Sequence, residues 1–302
     1  MKVLYIAGYG RSGSTVLATI LAGHPEIASV GELAYALDDW ADPRRTCACG
    51  LRYHECEFWR DLVRSLPLDP DARRLIRRTE RLVSLPRLWL GLTGRAQRDT
   101  YRTLQRQVFD HIAARSGATI VLDSSKSARL AAGRPLALRR LLGYDVYVVH
   151  LVRNGFATTH SLVRTGSNWA LEDHAPPPKL PALRAAVGWT WANLAAAAMK
   201  AAFGPDRYLR LRFEDFLADP ATALERIGAF AGADMTPVIQ RLRQGHDFPV
   251  PHMVGGNRVR FQGRIALHRD PGPVPSRALR PRERLLFRAI GGWLNRLYGY
   301  GN

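Results

Sequence analysis

The sequence predicts an α/β fold in which a central parallel sheet is covered by helices on both faces. Two observations support this prediction. Short apolar runs alternate with segments of helical periodicity, which is the pattern of parallel strands joined by helices. The earliest of these runs ends in glycine and small polar residues and leads directly into a helix. A chain of 302 residues can bury the core of such a sheet, and we expect a single domain over residues 1–302.

Each predicted element follows from a local pattern. Apolar runs bounded by polar or glycine residues predict strands at 3–7, 119–122, 146–152 and 208–213. Helical patterns predict helices at 16–22, 136–142, 182–202, 219–231 and 281–297. A basic helical insertion is expected at about 58–114. Pro67 and Pro86 divide it into several helices. The segments 165–181 and 249–275 are expected to be loops, the first a candidate lid.

The loop after the first strand has the composition of a phosphate-binding loop. Gly8 and Gly13 have Walker A spacing, and a helix follows at once. Backbone N–H groups and the positive end of a helix dipole favour an anion there. Ser14 stands where the Walker lysine belongs, and Arg11 supplies a basic side chain within the loop. The loop therefore predicts phosphate binding, but not an ordinary kinase.

Basic residues also follow two other predicted strands. Lys126 lies in Asp-Ser-Ser-Lys after the second strand, and Arg153 follows the third. Ligands of open parallel sheets bind beyond the carboxyl ends of the strands. We therefore expect Arg11, Lys126 and Arg153 to meet in one crevice.

Four segments together resemble the sulfotransferases that use 3′-phosphoadenosine 5′-phosphosulfate (PAPS). They are GRSGSTVL (10–17), VHLVRNGFATTHSLVR (149–164), RFEDFLADPATALERIGAFAG (212–232) and GGNRVRF (255–261). The motif pattern is most similar to the bacterial and the tyrosylprotein or carbohydrate branches. The resemblance implies the P-loop NTPase-like sulfotransferase fold and PAPS as co-substrate.

The resemblance also implies two separate anion sites on the protein. The residues expected to hold the 5′-phosphosulfate are Gly10, Arg11, Ser12, Gly13, Ser14 and Thr15. Arg153 and Ser161, eight positions apart, are expected to bind the 3′-phosphate, and Asn257 and Arg258 to close over the nucleotide. Asn154 departs from the family pattern, in which an aspartate often follows the arginine.

Three residues are expected to carry the transfer. The family resemblance implies that Glu32 is the general base, and that Arg11 and Lys126 stabilise the charge on the leaving group. No metal is expected to be required, because fixed cations can take this role. A histidine is the base in other branches. His150, within a predicted strand, is expected to be a core residue, and His160 to pack or orient the loop.

The net charge of +18 raises the possibility of a nucleic-acid partner. The charge is mostly arginine spread over predicted helices, without a basic tail or a nucleic-acid-binding motif, so no nucleic acid is expected. The acceptor is expected to be a small molecule or a glycan or peptide hydroxyl or amine. No membrane-spanning segment and no signal peptide are predicted, so a cytoplasmic location is expected.

Two other functions stay open. A kinase with a degenerate phosphate loop would need a Mg²⁺-binding acid at a strand end, for which Asp123 is the candidate. A nucleotide-binding protein without catalysis is the other alternative.

Cys47, Cys49 and Cys56 lie within ten residues of one another. They could be free thiols, form one disulfide such as Cys49–Cys56, or bind zinc together with His54.

Overall fold

A computed structural model describes residues 1–128, 130–166, 179–267 and 278–301. Its centre is a parallel sheet of five strands in the order β2-β3-β1-β4-β5. The strands are Lys2–Gly8 (β1), Ile27–Ser29 (β2), Ile120–Asp123 (β3), Asp145–Val152 (β4) and Tyr208–Arg212 (β5). The predicted parallel sheet is confirmed, and so are all four predicted strands. The short edge strand β2 was not predicted.

The order of the strands places a crevice at the end of β1. After β1 the chain runs outward through β2 and returns to β3, and it then continues on the other side with β4 and β5. Strand β1 pairs with both β3 and β4. Ligands of such sheets bind where the strand order reverses, outside the carboxyl ends of the strands. The loops after β1, β3 and β4 all open at this place.

The two faces of the sheet are buried in separate hydrophobic clusters. Val3 and Tyr5 of β1 belong to one cluster, and Leu4 and Ile6 belong to the other. Successive side chains of a strand point to opposite faces, so a strand that is apolar throughout must be covered on both faces. This is why β1 has no polar alternation.

Helices cover both faces of the sheet. The predicted insertion consists of Arg60–Ser65 (α3), Pro70–Glu80 (α4), Leu85–Trp89 (α5) and Arg95–Ser116 (α6). The other helices are Ser14–Leu21 (α1), Ala36–Ala41 (α2), Arg134–Leu142 (α7), Gly155–Thr165 (α8), Pro181–Phe203 (α9), Phe213–Ala218 (α10), Pro220–Ala231 (α11), Thr236–Arg243 (α12) and Pro281–Leu297 (α13). No helix in the described part of the chain combines the length and apolarity needed to cross a bilayer.

The segments predicted as loops differ in outcome. Residues 249–267 of the segment at 249–275 contribute to a small antiparallel pair, Phe248–Pro249 (β6) with Arg264–Ile265 (β7), and 268–275 lies outside the described residues. The segment also carries one turn of 3₁₀ helix at Arg258–Gln262. Most of the candidate lid, 167–178, lies outside the described residues.

A buried ionic network holds the helical insertion against the sheet. The Arg134 guanidinium contacts Glu80, at the end of α4, and donates to Asp123 Oδ2 at 2.6 Å and to Gln105 Oε1 at 3.1 Å. Tyr101 donates to Glu80 at 2.8 Å. Because buried charges must be paired to be tolerated, this network fixes the insertion to the end of β3.

His150 lies in the core of the sheet, as predicted. It is fully buried in β4, where Nε2 donates to Asn193 Oδ1 at 2.9 Å and Nδ1 accepts from the Tyr208 hydroxyl at 2.6 Å. Burial lowers the pKa of His150 to about 4. A histidine held neutral in this way behind the crevice is not placed to act as a general base.

The buried His150 predicts a loss of stability in acid. Its pKa is lower in the folded than in the unfolded chain, where it is about 6.5. The unfolded chain therefore binds the proton more readily than the folded chain. The contribution of neutral His150 to stability is complete above about pH 6.5 and is lost as the pH falls towards about 4. Over this pH interval, the free energy of unfolding of the wild type should fall by about 3 kcal/mol more than that of His150→Gln. Urea unfolding at several pH values tests this, and parallel curves for the two proteins would contradict it.

Candidate active site

The loop between β1 and α1 has the conformation needed to bind an anion. Gly13 precedes α1 with φ at +87°, and an added Cβ would lie 2.1 Å from the Phe213 ring. The first N–H groups of α1 have no carbonyl partners within the helix. Ser12 Oγ is buried and has no hydrogen-bond partner among the described residues. A buried hydroxyl beside free helix N–H groups is suited to a phosphate or sulfate oxygen.

Arg11, Arg153 and Ser161 meet beside this loop. Arg11 Nε donates to Ser161 Oγ at 3.0 Å, and Arg11 Nη2 donates to Thr165 Oγ1 at 2.6 Å. Arg153 Nη1 donates to the Arg11 carbonyl oxygen at 3.0 Å. Residues that the sequence assigns to two different anion sites therefore contact one another, and Arg11 lies between the phosphate loop and Ser161.

The cation cluster is electrostatically suited to an anion. Burial, and secondly the neighbouring Arg153, lower the pKa of Arg11. The Arg11 backbone also has φ at +67°, which is uncommon for a residue with a side chain, and residues in such strained conformations cluster at functional sites. Two guanidinium groups at close range favour a shared negative partner because it relieves their repulsion.

Glu32 and Lys126 form an ion pair at the ends of β2 and β3. Lys126 Nζ contacts Glu32 Oε1, and the two side chains are 11% and 12% exposed. Lys126 also has a positive φ, +67°. Its N–H donates to the Ile6 carbonyl at 3.0 Å, and its own carbonyl accepts from the Tyr5 hydroxyl. The loop after β3 is thus held against the end of β1, which fixes the ammonium group in the crevice.

A C-terminal loop joins the ion pair to the phosphate loop. Val254 pairs with Gly31 beside Glu32, and Asn257 N–H donates to Thr15 Oγ1 at 3.0 Å. An added Cβ on Gly256 would lie 3.3 Å from Thr15 Oγ1, and one on Gly255 would lie 3.4 Å from Glu32 Cβ. The two glycines therefore allow the loop to pass closely between the two groups.

The two candidate residues of this loop, Asn257 and Arg258, and the neighbouring Arg260 have different surroundings. The Asn257 side chain accepts from Val259 N–H at 3.1 Å and begins the 3₁₀ turn. Arg258 is exposed, whereas Arg260 is buried and donates to the Gly256 carbonyl at 2.8 Å. Arg260 therefore holds the conformation of the loop, and Arg258 is the arginine that is accessible to a ligand.

The comparisons with known proteins concern the family and the fold of the chain. Residues 4–237 match the model of the sulfotransferase family. The chain belongs to the sulfotransferase family. None of the curated proteins matches this sulfotransferase in sequence.

Two solved structures have the same fold. One is the sulfotransferase domain from the Synechococcus PCC 7002 olefin synthase, with 19% identity and a TM-score of 0.50 over 100% of this chain and 96% of that chain. The other is the sulfotransferase domain from the curacin biosynthetic pathway, with 18% identity and a TM-score of 0.52 over 99% and 98% of the two chains. At these identities the likeness concerns the fold.

Sequence reasoning missed one carboxylate of this sulfotransferase. Asp39, in α2, is buried next to Glu32 and lies 3.7 Å from Arg45 Nε. Burial raises the pKa of Asp39 to about 7, although Arg45 opposes this and Glu32 adds to it. The acidic pair Asp38-Asp39 shortly after Glu32 was the available signal. Only the fold shows that Asp39 lies with Glu32 next to Gly255, while Asp38 pairs with Arg77.

The conformation of the phosphate loop predicts that any side chain at position 13, where the chain has Gly13, strongly lowers the stability of the protein. Gly13→Ala combines a left-handed backbone with overlap against the Phe213 ring, and we expect it to lower the free energy of unfolding by about 3 kcal/mol. Gly10→Ala is the matched control, because an added Cβ there meets no atom within 4 Å among the described residues. Urea unfolding of both variants tests this, and equal stability of the two would contradict the assigned loop conformation.

Proposed function

We propose that this sulfotransferase takes the sulfuryl group from PAPS and passes it to a hydroxyl or amine of an acceptor. The observation that carries the proposal is the meeting of Arg11, Arg153 and Ser161 beside the buried Ser12 hydroxyl. Arg11 and Ser12 lie in the loop after β1, Arg153 follows β4, and Ser161 lies in α8. Together they offer two guanidinium groups and two hydroxyls. PAPS matches this set of donors, because its ribose carries a phosphosulfate at the 5′ position and a phosphate at the 3′ position.

The residues have distinct roles in the proposed binding. The N–H groups at the start of α1 and the Ser12 hydroxyl bind the 5′-phosphosulfate. Arg153 donates a charge-assisted pair of hydrogen bonds to the 3′-phosphate, and Ser161 donates one more. Arg11, between the phosphate loop and Ser161, contacts the bridging oxygen. Asn257 and Arg258 close over the nucleotide from the C-terminal loop.

The proposed transfer proceeds in line. The acceptor oxygen or nitrogen attacks sulfur, its proton passes to the Glu32 carboxylate, and the bond between sulfur and the bridging phosphate oxygen breaks. The products are the sulfated acceptor and adenosine 3′,5′-bisphosphate. Lys126 holds Glu32 in position before the reaction and, with Arg11, stabilises the negative charge that develops on the leaving phosphate. The expectation that the transfer requires no metal stays a prediction, and so does the cytoplasmic location.

The kinase alternative loses its candidate ligand for Mg²⁺. Asp123 is fully buried, its Oδ2 accepts from Arg134 and its Oδ1 accepts from Ser125 N–H at 2.9 Å. A carboxylate bound on both oxygens behind the crevice is not available to a nucleotide-bound cation. The ion pair of Glu32 with Lys126 argues for catalysis rather than binding alone, because a protein that only binds the nucleotide would not need a carboxylate at this position.

The experiment is a transfer assay that does not assume the acceptor. The protein is incubated with PAPS labelled with sulfur-35 and a metabolite extract, and labelled products are separated and identified. We expect a labelled product that is missing with Glu32→Gln. A parallel incubation uses ATP labelled with phosphorus-32 at the γ-phosphate, and a labelled product there without one from PAPS would favour the kinase alternative. Binding of adenosine 3′,5′-bisphosphate without any transfer to the extract would favour a non-catalytic protein.

A further inference from the structure

The three cysteines lie beside a histidine that is distant in sequence. Cys47, Cys49, Cys56 and His252 each direct one ligand atom to a common point, and these four atoms all lie within 4.8 Å of one another. None of the three cysteines is in a disulfide. His54, the histidine that the sequence suggested, is not part of this cluster; its Nε2 lies 3.6 Å from Glu55 Oε1 at the surface.

We propose that Cys47, Cys49, Cys56 and His252 bind one zinc ion that ties the cysteine loop to the C-terminal loop. The distances support a tetrahedral site. With Zn–S bonds of about 2.3 Å and a Zn–N bond of about 2.0 Å, a tetrahedron requires about 3.8 Å between two sulfurs and about 3.5 Å between sulfur and nitrogen. Cys49 Sγ lies 3.8 Å from Cys56 Sγ. His252 Nδ1 lies 3.7 Å from Cys47 Sγ and 3.2 Å from Cys56 Sγ.

The backbone around the cysteines has the form of a metal-binding turn. Thr46 pairs with Arg52 in an antiparallel bridge, and Cys47 N–H donates to the Leu51 carbonyl at 2.9 Å. Gly50, with φ at +87°, closes this turn so that Cys47 and Cys49 face the same side. Cys56 N–H donates to the Arg52 carbonyl at 2.9 Å, which brings the third thiol to the same point.

The histidine is positioned by contacts that would also support a metal ligand. The His252 ring stacks on Phe58 with ring centroids 5.5 Å apart and an angle of 8° between the planes. Its Nε2 lies 3.6 Å from Glu57 Oε1, so Nδ1 is left to face the thiols. A carboxylate near the far nitrogen is one of the common partners of a zinc-binding histidine.

The ligand set favours zinc and a structural role. Three thiolates and one imidazole are the donors of closed tetrahedral zinc sites, which keep no position open for a substrate. Binding would release the thiol protons, and Sγ–Zn bonds would form in their place. The site would fix His252, five residues before Asn257, and so the loop that passes between Glu32 and Thr15. It has no part in the proposed transfer and stands independently of it.

Metal analysis of the whole protein tests the site. The protein is purified without chelators from cells grown with added zinc. After gel filtration, its metal content is measured by inductively coupled plasma mass spectrometry. We expect about one zinc per chain, with at least a tenfold loss in His252→Ala and in Cys49→Ala. His54→Ala is the matched control, because it also removes a histidine near the cysteines, and its zinc content should equal that of the wild type.

A second measurement covers the case in which His252→Ala does not fold. His252→Cys offers four thiolates, so it should still bind the metal. After exchange with Co²⁺, both proteins should have the absorption of tetrahedral cobalt, and the sulfur-to-cobalt charge-transfer band should be stronger in the variant. Folded wild-type protein without zinc would overturn the proposal, as would iron in its place. It would also be overturned by an intact mass that shows a Cys49–Cys56 disulfide, or by equal zinc contents in His252→Ala and wild type.

Discussion

Glu32→Gln is expected to lower turnover by about 100-fold or more, which is the size of a lost general base. The glutamine keeps the size of the side chain, and its Oε1 can still accept a hydrogen bond from Lys126 Nζ, which contacts Glu32 Oε1 in the wild type. The variant therefore removes the proton acceptor with little change in geometry. Binding of adenosine 3′,5′-bisphosphate should be unchanged, because none of the proposed contacts with the nucleotide involves Glu32.

The measurement is single-turnover transfer of sulfur-35 from PAPS to the acceptor found in the extract assay. Glu26→Gln is the matched control, since it makes the same replacement at an exposed side chain just before β2. We expect the control to retain wild-type turnover. Normal turnover of Glu32→Gln would show that another group takes the proton, and Asp39 would then be the candidate to test.

The fold was largely predictable because its signals are local. The run at 3–7 is apolar at every position since β1 is buried on both faces, and the bounds of the last helix, at 281–297, follow from Pro281 and the amphipathic pattern. The edge strand β2 was missed for a physical reason. Three residues, Ile27–Ser29, carry too little periodicity, and this strand depends on pairing with β3, which is distant in sequence.

The candidate site was predictable only in part. The positions of Arg11, Lys126 and Arg153 after parallel strands predict a shared crevice, and the structure shows a contact between Arg153 and Arg11. Contacts between side chains were not predictable, such as that of Arg11 with Ser161 across 150 residues. The same is true of His252, which lies 205 residues from Cys47. Nearness in sequence favoured His54, but the pairing of Gly31 with Val254 brings His252 to the cysteines instead.

Arg153→Ala is expected to weaken binding of adenosine 3′,5′-bisphosphate by about 2 kcal/mol, or about 30-fold. The guanidinium is held in place for a ligand: it lies over the Phe213 ring at 5.4 Å, and Nη1 donates to the Arg11 carbonyl at 3.0 Å. One of its five N–H groups is used in that bond, so a planar pair of donors is left for the 3′-phosphate. Arg153→Lys keeps the charge but not the paired donors, and an intermediate loss is expected.

Calorimetric titration with adenosine 3′,5′-bisphosphate measures these affinities. Arg164→Ala is the matched control, because Arg164 is exposed in the last turn of α8, the helix that carries Ser161. It removes the same charge near the site without removing a proposed contact, so a loss much smaller than that of Arg153→Ala is expected. Equal losses in the two variants would mean that net positive charge, rather than a directed pair of hydrogen bonds, attracts the nucleotide. Unchanged affinity in Arg153→Ala would remove the 3′-phosphate site from the end of β4.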